Sequence, residues 1–186
     1  MRITSLAREA RVEVRFRPFL LGPLFKAQGW NTSPFVLFPA KGRYMWRDVE
    51  RLCADLDLPF RRPENFPQNS LLAARVALIG LRASWGEEFC CSVFRAEFND
   101  GRQIDDQTVI ADLLTGLRVE VGPVLEAAHA DGIKAQLRRE TEQAQQLGIF
   151  GAPSFVTPDN ELFWGNERLQ RALDWVTSKR EASDWL

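Results

Sequence analysis

The spacing of hydrophobic residues changes along the chain, from a period of two near both ends to a period of 3.6 between them. Residues 4–10 form a polar and alanine-rich stretch, which is typical of the end of a helix. Val12, Val14 and Phe16 then alternate with charged residues. This period of two predicts a β-strand over residues 12–17.

A loop and a block of helices follow the predicted strand. Residues 19–21 are expected to extend the strand to a turn at Gly22-Pro23, and residues 26–40 to form an irregular loop with a short helical turn. From Met45 onward the hydrophobic period is 3.6, which is typical of amphipathic helices. We predict helices over residues 45–56, 71–82, 87–98 and 133–147, one capped by Asp105 and Asp106, and one opened by Pro123.

The period of two returns near the C-terminus. Ser154–Thr157 and Glu161–Trp164 are predicted strands, and Pro158-Asp159-Asn160 between them favours a hairpin turn. A last amphipathic helix carries Leu169 and Leu173. Because two short strands alone are marginal, we expect the strands at both ends to share one sheet. The predicted fold is an α/β domain formed by residues 1–37 and 147–186, with an all-α insertion over residues 38–146.

Composition and net charge argue against a nucleic-acid binder and a membrane protein. The 186 residues include 24 Lys plus Arg against 25 Asp plus Glu, a net charge of -1. Nucleic-acid and membrane-surface binders need an excess of positive charge, so neither partner is expected. No apolar run approaches the ~20 residues that span a bilayer. The N-terminal MRITSLAREA has no apolar segment of a signal peptide, and we expect a cytoplasmic protein.

The few cysteine and histidine residues limit which metal and redox sites the chain could form. Cys53, Cys90, Cys91 and His129 are the only cysteines and histidine, so no tight set of zinc ligands exists and no metal is expected. The dithiol motif C-x-x-C is absent. We interpret the cysteines as small buried hydrophobes, and His129 as a surface residue near the end of a helix.

The most informative motif is GIFGAPSFV at residues 148–156. A helix is predicted to end before it, a hairpin to follow it, and FWGNERL at residues 163–169 to open the last helix. This arrangement resembles the thioredoxin-like superfamily, in its DsbA-like branch with a helical insertion. Within that branch the chain resembles the glutathione-dependent 2-hydroxychromene-2-carboxylate isomerases and kappa-class glutathione transferases. RPFLLG at 17–22, KGRYM at 41–45 and PQNS at 67–70 support the resemblance.

The resemblance implies a glutathione site at the hairpin. In this family the proline equivalent to Pro153 is cis, which turns the N–H and C=O of Ala152 toward an extended thiol peptide. The γ-glutamyl carboxylate would take the free N–H groups where the last helix begins, at Gly165 and Asn166, and Glu167 would hold the ammonium. The usual family residue at Glu167 is Asp. From the residues alone, Asn166 could equally be a simple N-cap.

Lys41, Tyr44 and Asn69 are the candidates for binding a second substrate. Taken alone, Lys41 is a solvated charge and Tyr44 a half-buried aromatic residue on a helix. The resemblance implies that these residues face the glutathione site. There the Lys would neutralise the carboxylate of an aromatic acid, and the Tyr and Asn would bond to its oxygens.

The chain departs from the family at its N-terminus. The family begins with a central strand and a Ser or Cys turn that positions the glutathione sulfur, whereas this chain starts inside the following helix. We expect the first, central strand to be absent and the catalytic Ser or Cys position to lie upstream of Met1. Ser5 is the nearest hydroxyl, but it lies at the end of the helix and is assigned no catalytic role. Either the natural start lies upstream of Met1, or the remaining strands pair directly and activity is reduced or lost. We favour the upstream start, and expect lower stability and activity for the chain as given.

Three functions are compatible with the resemblance. The first is a glutathione-dependent isomerase of an unsaturated aromatic acid, acting as a homodimer in aromatic catabolism. The second is a kappa-type glutathione transferase or oxidoreductase. The third is a glutathione-binding or peptide-binding protein without catalysis.

Overall fold

The computed structural model describes residues 2–183, with side chains through residue 180. Ten α-helices, one hairpin and one 3-10 turn follow one another in this part of the chain. The elements are α1 (Ile3–Glu9), α2 (Leu21–Ala27), α3 (Pro34–Leu37), α4 (Pro39–Asp55), α5 (Leu71–Gly80), α6 (Gly86–Phe98), α7 (Gln107–Gly116), α8 (Val121–His129), α9 (Asp131–Gln146), β1 (Ser154–Val156), β2 (Leu162–Trp164), the 3-10 turn (Asn166–Arg168) and α10 (Leu169–Ser183).

These elements form two compact units. The first contains the residues up to Arg17 and those from Glu142 onward, and the second contains Pro18–Thr141. The division predicted from the sequence, at 37/38 and 146/147, assigns residues 18–37 to the first unit instead and stays a prediction.

The first unit is built on a small core between α1 and α10. Ala7, Leu169 and Leu173 are its buried residues, and Val12 and Phe155 are among the half-buried side chains that pack on it. The strands β1 and β2 pair antiparallel, with Ser154 opposite Trp164 and Val156 opposite Leu162. The predicted hairpin is therefore confirmed. Its turn places Asn160 at a φ of 64°, a conformation that Asn adopts more readily than most residues.

The predicted strand over residues 12–17 is wrong in its hydrogen bonding but right in its side-chain pattern. Val12, Val14 and Phe16 are half-buried and the charged residues between them are exposed, as the period of two predicted. In the described chain, however, the sheet contains only β1 and β2. Residues 12–17 are extended without a ladder, and the N–H of Val12 bonds to the end of α1 at the Ala7 carbonyl, 2.8 Å away. A sheet shared by both ends of the chain is thus not formed among the described residues, because alternation sorts side chains but does not supply a partner strand.

The second unit is a helical bundle around α5, α6, α7 and α8. Val76, Phe89, Ile110 and Leu114 are fully buried at its centre. The close approach of α5 and α6 requires glycine, because an added Cβ at Gly86 would collide with backbone atoms of the α5 end. The predicted helical block is confirmed, with Asp106 accepting the Thr108 N–H at the start of α7.

The segment before this bundle is more helical than predicted. Instead of strand and loop, residues 21–37 contain α2 and α3, and α4 begins at Pro39 rather than near Met45. Prolines lie in the first turn of all three helices, where no N–H is required of them. Ser33 caps α3 by accepting the Phe35 N–H. Turn-forming residues here mark the starts of short helices.

Candidate functional site

The candidate site lies at the open end of the hairpin in the first unit. Residues 148–151 lead into it from the end of α9, where Gly148 has a φ of 74°. The Trp164 indole packs over Gly151, whose added Cβ would lie 2.5 Å from the indole Nε1. Phe150 packs on the same indole, with ring centroids 4.9 Å apart. Two aromatic rings and one obligatory glycine therefore shape the approach to the next residues, Ala152 and Pro153.

The backbone of Ala152 is open where the hairpin ladder ends. The Ala152–Pro153 peptide is cis, and both residues are exposed. The Pro153 carbonyl accepts a hydrogen bond from the Gly165 N–H at 3.0 Å, which is the last link between the two strands. Within the described residues, the N–H and C=O of Ala152 have no hydrogen-bond partner. An extended peptide could therefore pair with Ala152 as an added strand.

The 3-10 turn that precedes α10 supplies free backbone donors. Within residues 2–183, the N–H groups of Asn166 and Glu167 have no acceptor, whereas the Arg168 N–H bonds to the Gly165 carbonyl at 3.0 Å. Gly165 has a φ of 110°, and an added Cβ would lie 2.7 Å from both carboxylate oxygens of Glu167. The Glu167 carboxylate thus lies directly over Gly165, so a negative side chain is held next to the free donors.

Sequence reasoning missed Arg2. Its guanidinium Nη2 donates a 2.8 Å hydrogen bond to Oδ1 of Asn166. Because Oδ1 accepts this bond, the Asn166 amide nitrogen keeps its two donors for another partner. Arg2 and Asn166 are 164 residues apart, so no local motif could have revealed the pair.

The structure therefore brings the five predicted glutathione-site residues together. Gly165 is bonded to Pro153, and Ala152 and Asn166 are the next residues beyond that bond. Arg2 adds a cation and Glu167 an anion to the same end of the hairpin.

The predicted second-substrate residues lie in the second unit. Lys41 and Tyr44 are exposed on α4, and 65% of the Tyr44 surface is accessible. Asn69 lies just before α5, whose N-cap is Ser70, and its Oδ1 accepts the Leu71 N–H at 3.0 Å. No hydrogen bond joins any two of the three within the described chain. Their predicted role in substrate binding stays a prediction.

Cys53 and Cys90 are not poised as nucleophiles. All three cysteines are free thiols and half-buried, less buried than the sequence interpretation held. Burial, with a smaller contribution from Cys91, raises the pKa of Cys90 to about 11, and burial also raises the pKa of Cys53. Thiols with raised pKa values carry little thiolate at neutral pH.

Other candidate groups are structural or outside the described residues. The Ser5 hydroxyl donates to the Arg2 carbonyl at 2.9 Å. His129 ends α8 and is exposed. Over residues 2–183, no group of three or more His, Cys, Asp or Glu side chains is placed to hold a metal. The predicted catalytic position precedes Met1 and lies outside the described chain.

Comparison with known proteins defines the family. Residues 1–175 match the model of the DSBA-like thioredoxin domain. The chain belongs to this family, which confirms the resemblance and the thioredoxin-like fold class. It is similar to the 2-hydroxychromene-2-carboxylate isomerase of Sphingobium xenophagum, with 26% identity over 91% of this chain and 85% of the isomerase. It is also similar to human glutathione S-transferase kappa 1, with 26% identity over 86% of this chain and 75% of the transferase.

Two solved structures share the fold. A 2-hydroxychromene-2-carboxylate isomerase matches with a TM-score of 0.83 and 20% identity, covering 100% of this chain and 90% of the other. The cytosolic disulfide reductase DsbM of Pseudomonas aeruginosa, solved with GSH, matches with a TM-score of 0.64 and 16% identity, covering 99% of this chain and 91% of the other. No helix within residues 2–183 has the length and apolar character to cross a membrane.

Proposed function

We propose that this chain binds glutathione at the open end of the hairpin and uses it to isomerise an unsaturated aromatic acid. The observation that carries the proposal is the Pro153–Gly165 hydrogen bond, which joins the unpaired backbone of Ala152 to the free N–H groups of Asn166 and Glu167. An extended backbone and a zwitterionic end group are the two features that such a site would recognise.

Each part of glutathione has a complementary group in this site. The cysteinyl backbone pairs with the Ala152 N–H and C=O as an added strand. The γ-glutamyl carboxylate takes the free N–H groups at Asn166 and Glu167 and the Arg2 guanidinium, which forms charge-assisted bonds to carboxylates. The γ-glutamyl ammonium pairs with the Glu167 carboxylate over Gly165.

The reaction requires no net oxidation or reduction. Bound glutathione would supply a thiolate that adds to a conjugated carbon of the substrate, with the π electrons taken up by the substrate carbonyl, so that the former double bond could rotate. The same thiolate would leave as the double bond re-forms in the new configuration. The similarity to 2-hydroxychromene-2-carboxylate isomerase supports this choice of reaction.

The second substrate is assigned to α4. We propose that Lys41 neutralises the carboxylate of the aromatic acid, while Tyr44 and Asn69 bond to its oxygens. Lys41→Gln is expected to raise KM for the acid and to leave glutathione affinity unchanged. Equal losses in both affinities, or none in either, would return Lys41 to a solvated surface charge.

Calorimetric titration with reduced glutathione tests the binding site. Glu167→Gln and Arg2→Gln are each expected to weaken binding about tenfold, because each removes a charge-assisted contact. Glu161→Gln is the matched control, since Glu161 is an exposed carboxylate on the same hairpin. Ala152→Pro removes the N–H that pairs with the ligand. Unchanged affinity in a folded Ala152→Pro variant would refute the proposed strand pairing.

A transferase or reductase is the second candidate function. It is supported by the similarity to glutathione S-transferase kappa 1. Product analysis separates the reactions: an isomerase leaves glutathione unconsumed, a transferase converts it to a thioether conjugate, and a disulfide reductase converts it to glutathione disulfide. Glutathione binding without turnover of chromene carboxylates, electrophiles or disulfides would indicate a binding protein without catalysis.

We further propose that the protein works in the cytoplasm, in aromatic catabolism and as a homodimer. A reducing compartment keeps glutathione in its thiol form, as the reaction requires. Leu52 on α4 and Leu56 directly after its end are each 37% exposed, which leaves apolar surface that a second copy could cover. Sedimentation velocity distinguishes a dimer from a 21.2 kDa monomer.

A further inference from the structure

We propose that the second unit carries a separate binding site for a flat aromatic carboxylate, in the cavity between α4 and the loop over residues 62–66. This site goes beyond the proposed function, since it uses neither the glutathione-site residues nor Lys41, Tyr44 and Asn69.

The cavity has the size of a small-molecule site, and aromatic residues form part of its lining. Its volume is about 620 Å³, and rings of Phe35, Trp46 and Phe66 line it. Ligand pockets have volumes of roughly 300–1,000 Å³. The Trp46 and Phe66 rings meet edge to face with centroids 4.8 Å apart. Trp46 is buried and holds Phe66 in place, and the half-buried rings of Phe35 and Phe66 leave aromatic surface against which a planar ring can pack.

Two guanidinium groups give the cavity its charge. Arg43 and Arg62 line it, and in the described part of the chain neither has a carboxylate within ion-pair distance. Arg62 stacks on Trp46, with its guanidinium carbon 5.0 Å from the ring centroid. The one acidic residue of the lining, Glu64, pairs with Arg61 at 3.9 Å. Two cations without an acidic partner beside an aromatic wall favour an aromatic anion, and the planar fork of Arg matches a carboxylate.

Helix geometry separates this cavity from the predicted substrate face. Successive residues of an α-helix are about 100° apart, so Tyr44 lies roughly 200° around α4 from Gly42, which lines the cavity. Gly42 is buried against the Phe35 carbonyl, where an added Cβ would collide, and this contact fixes the wall formed by α3 and α4. Lys41 and Arg43 therefore lie on opposite sides of the helix.

The test is calorimetric titration of the full chain with 2-naphthoate, without glutathione and at 0.15 M salt. We expect Arg43→Gln and Arg62→Gln each to weaken binding about tenfold, because each removes a charge-assisted contact to the carboxylate. Gln keeps the aliphatic stem of each side chain, so packing on Trp46 is retained. The matched control is Arg47→Gln, one turn along α4, whose guanidinium bonds to Glu50 at 2.9 Å. We expect this control to leave naphthoate affinity unchanged.

Ligand analogues test the two parts of the recognition separately. The neutral 2-naphthamide is expected to bind about tenfold more weakly than naphthoate, and acetate, which has the charge without the ring, not to bind measurably. The proposal is overturned if naphthoate does not bind, or if Arg43→Gln and Arg62→Gln both leave its affinity unchanged. Naphthoate binding in a protein that fails to bind glutathione would refute the proposed function and leave this site standing.

Discussion

Glu97 makes the stability of the second unit depend on pH. Its side chain lies on α6 and the residue is only 6% exposed. Burial alone raises its pKa from an ordinary value of 4.5 to about 7. The raised pKa means that the folded protein holds the carboxyl proton more tightly than the unfolded chain does. Replacing Glu97 by Gln keeps the shape of the neutral acid and removes the ionisation.

The direction in which stability changes with pH follows from proton linkage. Below pH 4.5 the carboxyl is protonated in both states and there is no penalty. Between pH 4.5 and about 7 the unfolded chain loses the proton first, so stability falls as the pH rises, and the loss is complete above the folded pKa. At about 1.36 kcal/mol per pKa unit, the full penalty amounts to roughly 3 kcal/mol. We therefore expect the advantage of Glu97→Gln over the wild type to grow by roughly 2.5 kcal/mol between pH 5 and pH 8.

Urea denaturation of both proteins at pH 5 and pH 8, followed by circular dichroism, measures this difference. Glu126→Gln, an exposed carboxylate on α8, is the matched control and should show no such growth. If wild type and Glu97→Gln lose the same stability between the two pH values, the Glu97 carboxyl is solvated and the reasoning from burial fails.

Two glycines give further predictions from close contacts. Gly86→Ala should destabilise the protein by about 1–3 kcal/mol, because the added Cβ meets the backbone of Gly80. Gly132→Ala, which has open space in α9, should instead stabilise it by up to about 1 kcal/mol. Denaturation midpoints that do not differ in this order would contradict the packing of α5 on α6. Gly165→Ala should cost about 1–3 kcal/mol because of its φ of 110°, and should also weaken glutathione binding by displacing Glu167. An equally stable variant that binds glutathione normally in calorimetry would show that neither the backbone angle nor the Glu167 position matters.

Local patterns determined most of the secondary structure. The 3.6 period predicted the helices from α4 to α9, and the turn residues 158–160 between two short alternating segments predicted the hairpin. The alternation over residues 12–17 predicted which side chains are half-buried. These features depend on neighbours along the chain, so the sequence by itself contains the information.

The family motif determined the location of the candidate glutathione site. Ala152 and Pro153 precede the hairpin, and Gly165–Glu167 follow it, so their meeting is a consequence of local pairing. Sequence alone indicated this site because the two segments are only about a dozen residues apart.

Tertiary structure decided the features that need a distant partner. Residues 12–17 do not form a strand in the described fold, because a ladder requires a second strand and none lies beside them there. The Arg2–Asn166 bond joins residues at opposite ends of the sequence. The burial of Glu97 and the cavity beside Trp46 depend on how helices pack. No periodicity specifies a buried carboxylate or two guanidinium groups without an acidic partner. The packing of the whole fold determines which side chains are buried and where cavities remain, because the solvent access of a residue depends on all of its neighbours.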